Sequence, residues 1–489
     1  MADDFRISRV KNQDLMTVLH NENGQGVIIK PTYGVRNAVR LGDPRTLNIH
    51  EFHFVGNGSR ALVIKSNKTT ATIDDCRSVG IAAPCTAEFD GFEEFETETW
   101  QSVFSWTSLG RIGLNESTRD DGTTIESRCS SGWDFLHVNS VDKCADWDYL
   151  MSARFTDTIY KISHLDGSIV WRLGGTNSDF DMAGLTFSGQ HSVRHVSSTN
   201  TQTVISILDN AIKDEIQPTH THSRGLLLKL NTSSWPMTVT KLAEYQHPHG
   251  EGAYAHARGN YQTLDSGNVL IGWSKQAIQS EHTADGKLVM DAQLVPEWLG
   301  SYRNYKFPFV GQPREKIYVV ARSEQHNGKA STAVWVSWNG ATEVVEWHCY
   351  KHDVSASEAS NEELIASAKK IGVETQLRTD GHVESVVVKA IDRDGTILGS
   401  SRVAKVQQAG DNWSHVKEAV PALGQQHPSA LLMVSMCWSL LIYLAWRKCW
   451  LQRARRCDFS RYVMAISPML AAESEPDASN SVRRHRLYT

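Results

Sequence analysis

The residues best suited to chemistry lie between positions 133 and 173, in the run WDFLHVNSVDKCADWDYLMSARFTDTIYKISHLDGSIVWRL. A short apolar stretch there, 136–140, carries His137 and Asn139 almost side by side. An imidazole takes up and releases a proton near neutral pH, so the pair suits proton transfer or the holding of a polar ligand if it faces a cavity. Inside a core the same two residues would only satisfy each other. The surrounding elements decide for a cavity. A second strand follows at 148–154, then a hairpin of 158–163 and 168–173 closed by His164-Leu165-Asp166-Gly167. Four short strands with tight turns make one blade of a β-propeller. His137 falls on the innermost strand, the one that lines a central channel.

Further hairpins repeat the signature. They include 51–55 with 61–66 around Gly56-Asn57-Gly58, 225–230 with 239–245, and 269–273 followed by 277–283 and 288–294. At about 45 residues per blade, residues 28–318 hold about six blades, with helix nearly absent. From 319 to 406 the pattern changes. One hairpin is expected at 333–338 and 342–350 across Asn339-Gly340, and another at 382–391 and 396–403. That spacing suits a small β-sandwich like a fibronectin type III module. The fold class is therefore all-β: a propeller of about six blades, then the sandwich. Abundant aromatics (15 Trp, 13 Tyr, 14 Phe) suit that class, and a net charge of −5 gives no electrostatic case for nucleic acid.

The C-terminus differs in kind. After a linker at 407–428, residues 429–446 (SALLMVSMCWSLLIYLAW) carry no charge. As a helix they would rise about 27 Å, close to the hydrocarbon thickness of a bilayer at about 30 Å. Arg447, Lys448, Arg453, Arg455 and Arg456 follow, so the basic tail 447–489 is expected in the cytosol, unfolded, and the bulk of the chain in a lumen or outside the cell. Glycosylation sequons at Asn57, Asn67, Asn115, Asn231 and Asn412 all precede the apolar run. An oxidising compartment also allows disulfides, and nearness in sequence pairs Cys76 with Cys85 and Cys129 with Cys144, leaving Cys349 free. Residues 1–27 hold no apolar signal core. The sequence reads as truncated there, the alternative being that the apolar helix is itself the signal. No CxxC pair stands at zinc spacing from histidines, so neither a metal nor another cofactor is called for.

Taken in order, residues 133–173, Phe187–Arg194 (FSGQHSVR), Ser206–Ala211 (SILDNA), Ser223–Lys229 (SRGLLLK), His256–Asn260 (HARGN) and Ser301–Gln312 (SYRNYKFPFVGQ) resemble the arylsulfotransferase (ASST) family, in its fungal, membrane-anchored branch. The resemblance covers roughly 52–406. It implies a transferase: bacterial members are six-bladed propellers that move a sulfuryl group between phenols, through a transiently sulfated histidine and without a nucleotide donor. Charge spread over the sulfonyl oxygens and the leaving phenolic oxygen calls for fixed cations and N–H donors. By resemblance His137, His191 after Gln190, and Arg224 after Ser223 are the catalytic candidates, and Asn139, Arg194, His256 and Arg258 the binding candidates. The alternative for each is a satisfied polar residue in a propeller channel.

One element departs from the family. Gln279 stands where the nucleophilic histidine is expected, and glutamine forms no sulfo-imidazole; His282, three residues on, should face the other side of its strand. Three readings follow. The chain is an active sulfuryl transferase for small aromatic or sulfated molecules, an inactive membrane-anchored propeller that binds an anionic or aromatic ligand or a protein partner, or a hydrolase or lyase with His137 and His191 as general acid and base; loss of the nucleophile favours the second over the third. Without a P-loop glycine motif, nucleotide-dependent sulfation is disfavoured.

Overall fold

Short runs of alternating apolar residues, punctuated by Gly, Asp and Asn turns, assemble here into four-stranded antiparallel sheets. The computed structural model describes residues 3–408 except 83, 215, 295–299, 327 and 353–362. Residues 1–409 form one compact unit. The expected spanning helix at 429–446, the tail and Asn412 lie outside the described residues; among those described, no helix is long and apolar enough to cross a membrane.

Five blades follow one another. Blade one is built from Asp3–Val10, Gln13–His20, Gln25–Ile29 and Val35–Arg40. It begins well inside the segment expected to precede the propeller. Blade two runs Leu47–Val55, Arg60–Thr70, Thr86–Glu96 and Ser102–Thr107; blade three, Val138–Lys143, Tyr149–Ala153, Thr158–Ile162 and Ile169–Gly174. Blade four uses His191–Ser198, Gln202–Asp209, Arg224–Asn231 and Met237–Gln246, and blade five Asn260–Thr263, Val269–Gly272, Ile278–His282 and Leu288–Gln293. From blade one to blade five, the first strand of each blade packs beside the first strand of the next, and apolar clusters fill the wedges between blades.

The count is five where about six were expected. Between blades five and one the chain contributes a single extended segment, 301–312. Asn260 holds it by a paired bond, Nδ2 donating to the Asn304 carbonyl at 2.8 Å and Oδ1 accepting from the Asn304 N–H at 2.8 Å. Gln262 treats Lys306 in the same way at 3.0 and 2.9 Å. On the other side Arg303 reaches Asp4 at 2.9 Å, and the Gln312 N–H donates to the Pro31 carbonyl at 3.0 Å. Side-chain amides that copy a peptide edge replace the three further strands of a blade.

Residues 318–407 form an eight-stranded barrel-like sheet. Tyr318–His326, Lys329–Ser337 and Glu374–Asp380 make one half, and Glu363–Lys369, Glu346–Lys351, Ser385–Ile391, Ala404–Gln407 and the short Ile397–Ser400, which pairs with Ser385–Ile391, the other. Ala404–Gln407 joins them, parallel to the first strand and antiparallel to Ser385–Ile391. The expected hairpin across Asn339-Gly340 does not form. Lys329–Ser337 pairs with its neighbours in the first half, and Glu346–Lys351 belongs to the second. Val334, Val336 and Leu377 meet Trp347, Cys349 and Val388 in one core, which requires the chain to cross between halves. Tyr33 of blade one donates its hydroxyl to Gly340 O at 2.7 Å and pins that crossing.

The disulfide also differs from expectation. Cys85 pairs with Cys129, Cα to Cα 4.5 Å, while Cys76, Cys144 and Cys349 are buried free thiols. The short strand Trp133–Asp134 lies parallel to Thr86–Glu96, with Ala87 opposite Trp133. That pairing brings the helix Ile125–Ser131 to the start of the long strand, so spatial register overrides nearness in sequence. Asn57, Asn67 and Asn115 are exposed and Asn231 half-buried.

Candidate functional site

The propeller centre is polar. Its floor is an ion-pair cluster in which Asp4 and Glu51, both fully buried, face Arg6, Arg194 and Arg303. Arg303 donates to Asp4 at 2.9 Å, Glu51 at 3.2 Å and the Asn139 carbonyl at 2.7 Å, and its guanidinium stacks over Tyr302 at 4.9 Å. Burial would raise the Glu51 carboxyl, but Arg194, Arg303 and Arg6 together hold it well below the usual carboxylate range.

Three imidazoles gather at this centre. His50, in the first strand of blade two, lies edge-on to His137 at 5.0 Å between ring centres and 5.8 Å from both His191 and Tyr302. His191 and Tyr302 are themselves 5.8 Å apart. Each ring is held through Nδ1. His137 Nδ1 lies 2.6 Å from Asp134, His50 Nδ1 contacts the Asn48 side-chain oxygen, and His191 Nδ1 donates to the Gly259 carbonyl at 2.8 Å. For His191 a carbonyl fixes the tautomer: Nδ1 keeps the proton and Nε2 carries a lone pair. That Nε2 is buried and has no hydrogen-bond partner among the described residues. Burial, then the charge of Arg303, holds His191 neutral, well below the ordinary imidazole range; His50 is lowered by burial and by His137.

The backbone around the cluster is costly to adopt. His137, Ser192 and Arg258 have φ of +53°, +56° and +64°, each at the start of an inner strand. Each such non-glycine residue costs about 1–3 kcal/mol, and such strain concentrates at functional sites. At Gly259 (φ +93°) a Cβ would strike the Gly272 carbonyl, so glycine is required where the carbonyl that orients His191 is presented.

The structure brings His137 and His191 together around His50, and it does not bring Arg224 to them through any contact among the described residues. Arg224 opens the third strand of blade four. There it donates to Asp209 at 3.0 Å, Glu244 at 3.3 Å and the Thr186 carbonyl at 2.7 Å, with His220 at 2.8 Å. Burial pushes the Asp209 carboxyl up to about 6, against the pull of Arg224. This third-strand position lets the guanidinium bond Asp209 and Glu244, both within its own blade.

Arg194 is likewise committed, its Nη2 donating to both Glu51 carboxylate oxygens at 3.0 and 2.9 Å. Asn139 clamps blade four, donating to Gln190 O at 2.8 Å and accepting from the Ser192 N–H at 3.2 Å. The His256 carbonyl accepts from Arg154 at 2.8 Å, while Arg154 also reaches Gly189 O at 2.9 Å. Arg258 is exposed, its guanidinium has no partner among the described residues, and its charge is felt at His50. Gln279 sits on the third strand of blade five opposite Gly272 and Ala292. His282, on the other face, contacts Ser280 Oγ at 2.9 Å and the Tyr245 ring.

Sequence reasoning missed His50, Tyr302 and Arg303. Tyr302 and Arg303 lie in the SYRNY stretch, where an arginine set between two tyrosines was the available signal. His50 offered none, since nothing local marks its strand as an inner one.

The sequence model of the arylsulfotransferase (ASST) family matches residues 27–294, more than half the chain. This chain belongs to the arylsulfotransferase family. It is an arylsulfotransferase-like propeller protein whose Tyr302 and Arg303 lie beyond the matched span. No curated protein matches it. Solved structures similar to this arylsulfotransferase-family chain include virginiamycin B lyase from Staphylococcus aureus, at 6% identity and TM-score 0.32 over 77% of this chain and 94% of that one. Another is a protein of unknown function from Bacteroides caccae, at 10% identity and TM-score 0.25 over 64% and 89%.

Proposed function

We propose that this protein transfers a sulfuryl group from an aryl sulfate to a phenol, with His191 as the relay and no nucleotide donor. The observation that carries the reading is the bare, neutral Nε2 of His191, its tautomer set by Gly259. In the first step the Nε2 lone pair forms a bond to sulfur, the bond from sulfur to the phenolic oxygen breaks, and the departing phenolate takes a proton from protonated His137 at Nε2. His137, held at Nδ1 by Asp134, then accepts the proton of the second phenol as its oxygen bonds to sulfur and the S–N bond breaks. Arg258 takes the part given to Arg224 in the sequence reading, since Arg224 is occupied by Asp209. The cluster is open to solvent at His137, whose side chain is 31% exposed, and at Arg258, so substrate enters there and reaches the buried Nε2 by displacing neighbouring side chains.

The test is incubation of the purified chain with 4-nitrophenyl sulfate and a phenol acceptor. Release of 4-nitrophenol, a sulfated peptide containing His191, and loss of both in His191→Asn are expected. A second reading is favoured by the enclosure of Nε2 and by Gln279: an inactive propeller that binds aryl sulfates or related anions, or a protein partner. Binding of 4-nitrophenyl sulfate without release of nitrophenol would establish it over transfer.

We further propose that the folded part faces a secretory lumen or the exterior, anchored through 429–446, which the Cys85–Cys129 disulfide and the exposed sequon asparagines support. A glycosidase-sensitive gel shift together with resistance to alkaline carbonate is expected; release by carbonate would refute the anchor.

A further inference from the structure

A cleft lies apart from the histidines. It lies at one end of blade one, where the second strand starts and the third and fourth strands are joined, and the segment 308–310 forms its opposite wall. Its volume is about 700 Å³, within the usual range for small-molecule sites. Leu15, Pro308 and Phe309 give it apolar walls, and Phe309 is held edge-on by Tyr33 at 6.3 Å between ring centres.

The polar groups in the cleft are unequally satisfied. Asp14 is neutralised from outside by Arg9, at 2.6 and 3.1 Å. Arg36 spends one donor on the Gln13 side chain at 3.2 Å and has no carboxylate partner among the described residues. Lys30 is half-buried, with no partner for its ammonium among them. The hydroxyl of Thr32 is buried and unpartnered. Lys30 and Arg36 thus bring two positive charges to the wall with no carboxylate partner among the described residues. The excess is one of positive charge and hydrogen-bond donors, set against an aromatic ring.

We propose that this cleft is a second ligand site, separate from the histidine centre, for a small aromatic anion. Its acidic group meets Lys30, Arg36 and the Thr32 hydroxyl, and its ring lies on Phe309 between Leu15 and Pro308. The inference does not depend on sulfuryl transfer. An aryl sulfonate, carboxylate or sulfate fits the same chemistry; a neutral aromatic leaves the cations unmet.

Naphthalene-2-sulfonate, which cannot transfer a sulfuryl group to oxygen, is the probe, titrated calorimetrically into the full chain. Saturable binding is expected, weakened about tenfold in Lys30→Gln and in Arg36→Gln, since each removes a charge-assisted hydrogen bond. Phe309→Ala should weaken it similarly, 2-naphthylmethanol should bind about tenfold less well than the sulfonate, and His191→Asn should bind as wild type does. All these substitutions except His191→Asn are at or near the surface, and unchanged melting temperatures would show that the fold is kept. Unchanged affinity in the Lys30 and Arg36 variants, or loss of binding in His191→Asn alone, would overturn the proposal.

Discussion

Replacing His191 with Asn tests the central electrostatic feature of the site. The amide keeps a donor to the Gly259 carbonyl, now 2.8 Å from Nδ1, while removing the titratable ring. In the folded chain burial and Arg303 keep the imidazole neutral well below its ordinary range, whereas in the unfolded chain it protonates near 6.5. The unfolded state therefore binds more protons below that pH, and stability must fall as pH falls. At pH 5.5, one unit below the unfolded value, the loss is about 1.4 kcal/mol for this one group, and at pH 7.5 it is under about 0.1 kcal/mol. Urea unfolding followed by tryptophan fluorescence at the two pH values measures the difference. Wild type should lose about 1.4 kcal/mol more than His191→Asn between pH 7.5 and 5.5. The other lowered histidines, His50 among them, act equally in both proteins and cancel. Equal acid sensitivity of the two would mean that His191 is protonated in the native state, and the relay role would fall with it.

Arg303→Met should destabilise by about 3 kcal/mol, the lower end for removing one partner of a buried ion pair, because Arg6 and Arg194 still face Asp4 and Glu51; an unchanged melting temperature would contradict the ring-closing role of segment 301–312. Replacing Cys85 and Cys129 together by Ala should cost about 4 kcal/mol for a loop closed over a separation of 44 residues, and non-reducing peptide mapping should recover that pair with Cys76 and Cys144 as free thiols. Asp90, pushed up to about 7 by burial and by Asp134, opposes folding increasingly as pH rises from about 4 to 7. Asp90→Asn should therefore gain stability relative to wild type between pH 4 and pH 8, and a constant difference would refute the assignment.

Blade three was legible in the sequence because it is local: four strands, three tight turns and a uniform period of two. The number of blades was not, since a span divided by a typical length counts 301–312 as part of a sixth blade when Asn260 and Gln262 replace most of it. The same distinction governs the site. His137 and His191 stand beside inner-strand starts and were found by their motifs. Arg224, found by its motif as well, bonds Asp209 and Glu244 within blade four, which the motif could not show because it records neighbours along the chain and not which of a blade's four strands it occupies. Tyr302 reaches the His50 carbonyl across 252 residues of chain, a pairing that no local pattern records.

The contact between Arg303 and Asp4 joins residues 299 apart in sequence. During synthesis the five blades leave the ribosome before the arginine that completes their centre. Until it arrives, Asp4 and Glu51 have only Arg6 and Arg194 as counter-ions, and Tyr302 is not yet beside the imidazoles. The ring is therefore a clasp fastened last, by a long-range contact whose chain entropy must be overcome late. A nascent or C-terminally shortened chain ending before 301 would hold its histidines without Arg303, whose charge adds to burial in keeping His191 neutral, so completion of the histidine cluster is tied to completion of the fold.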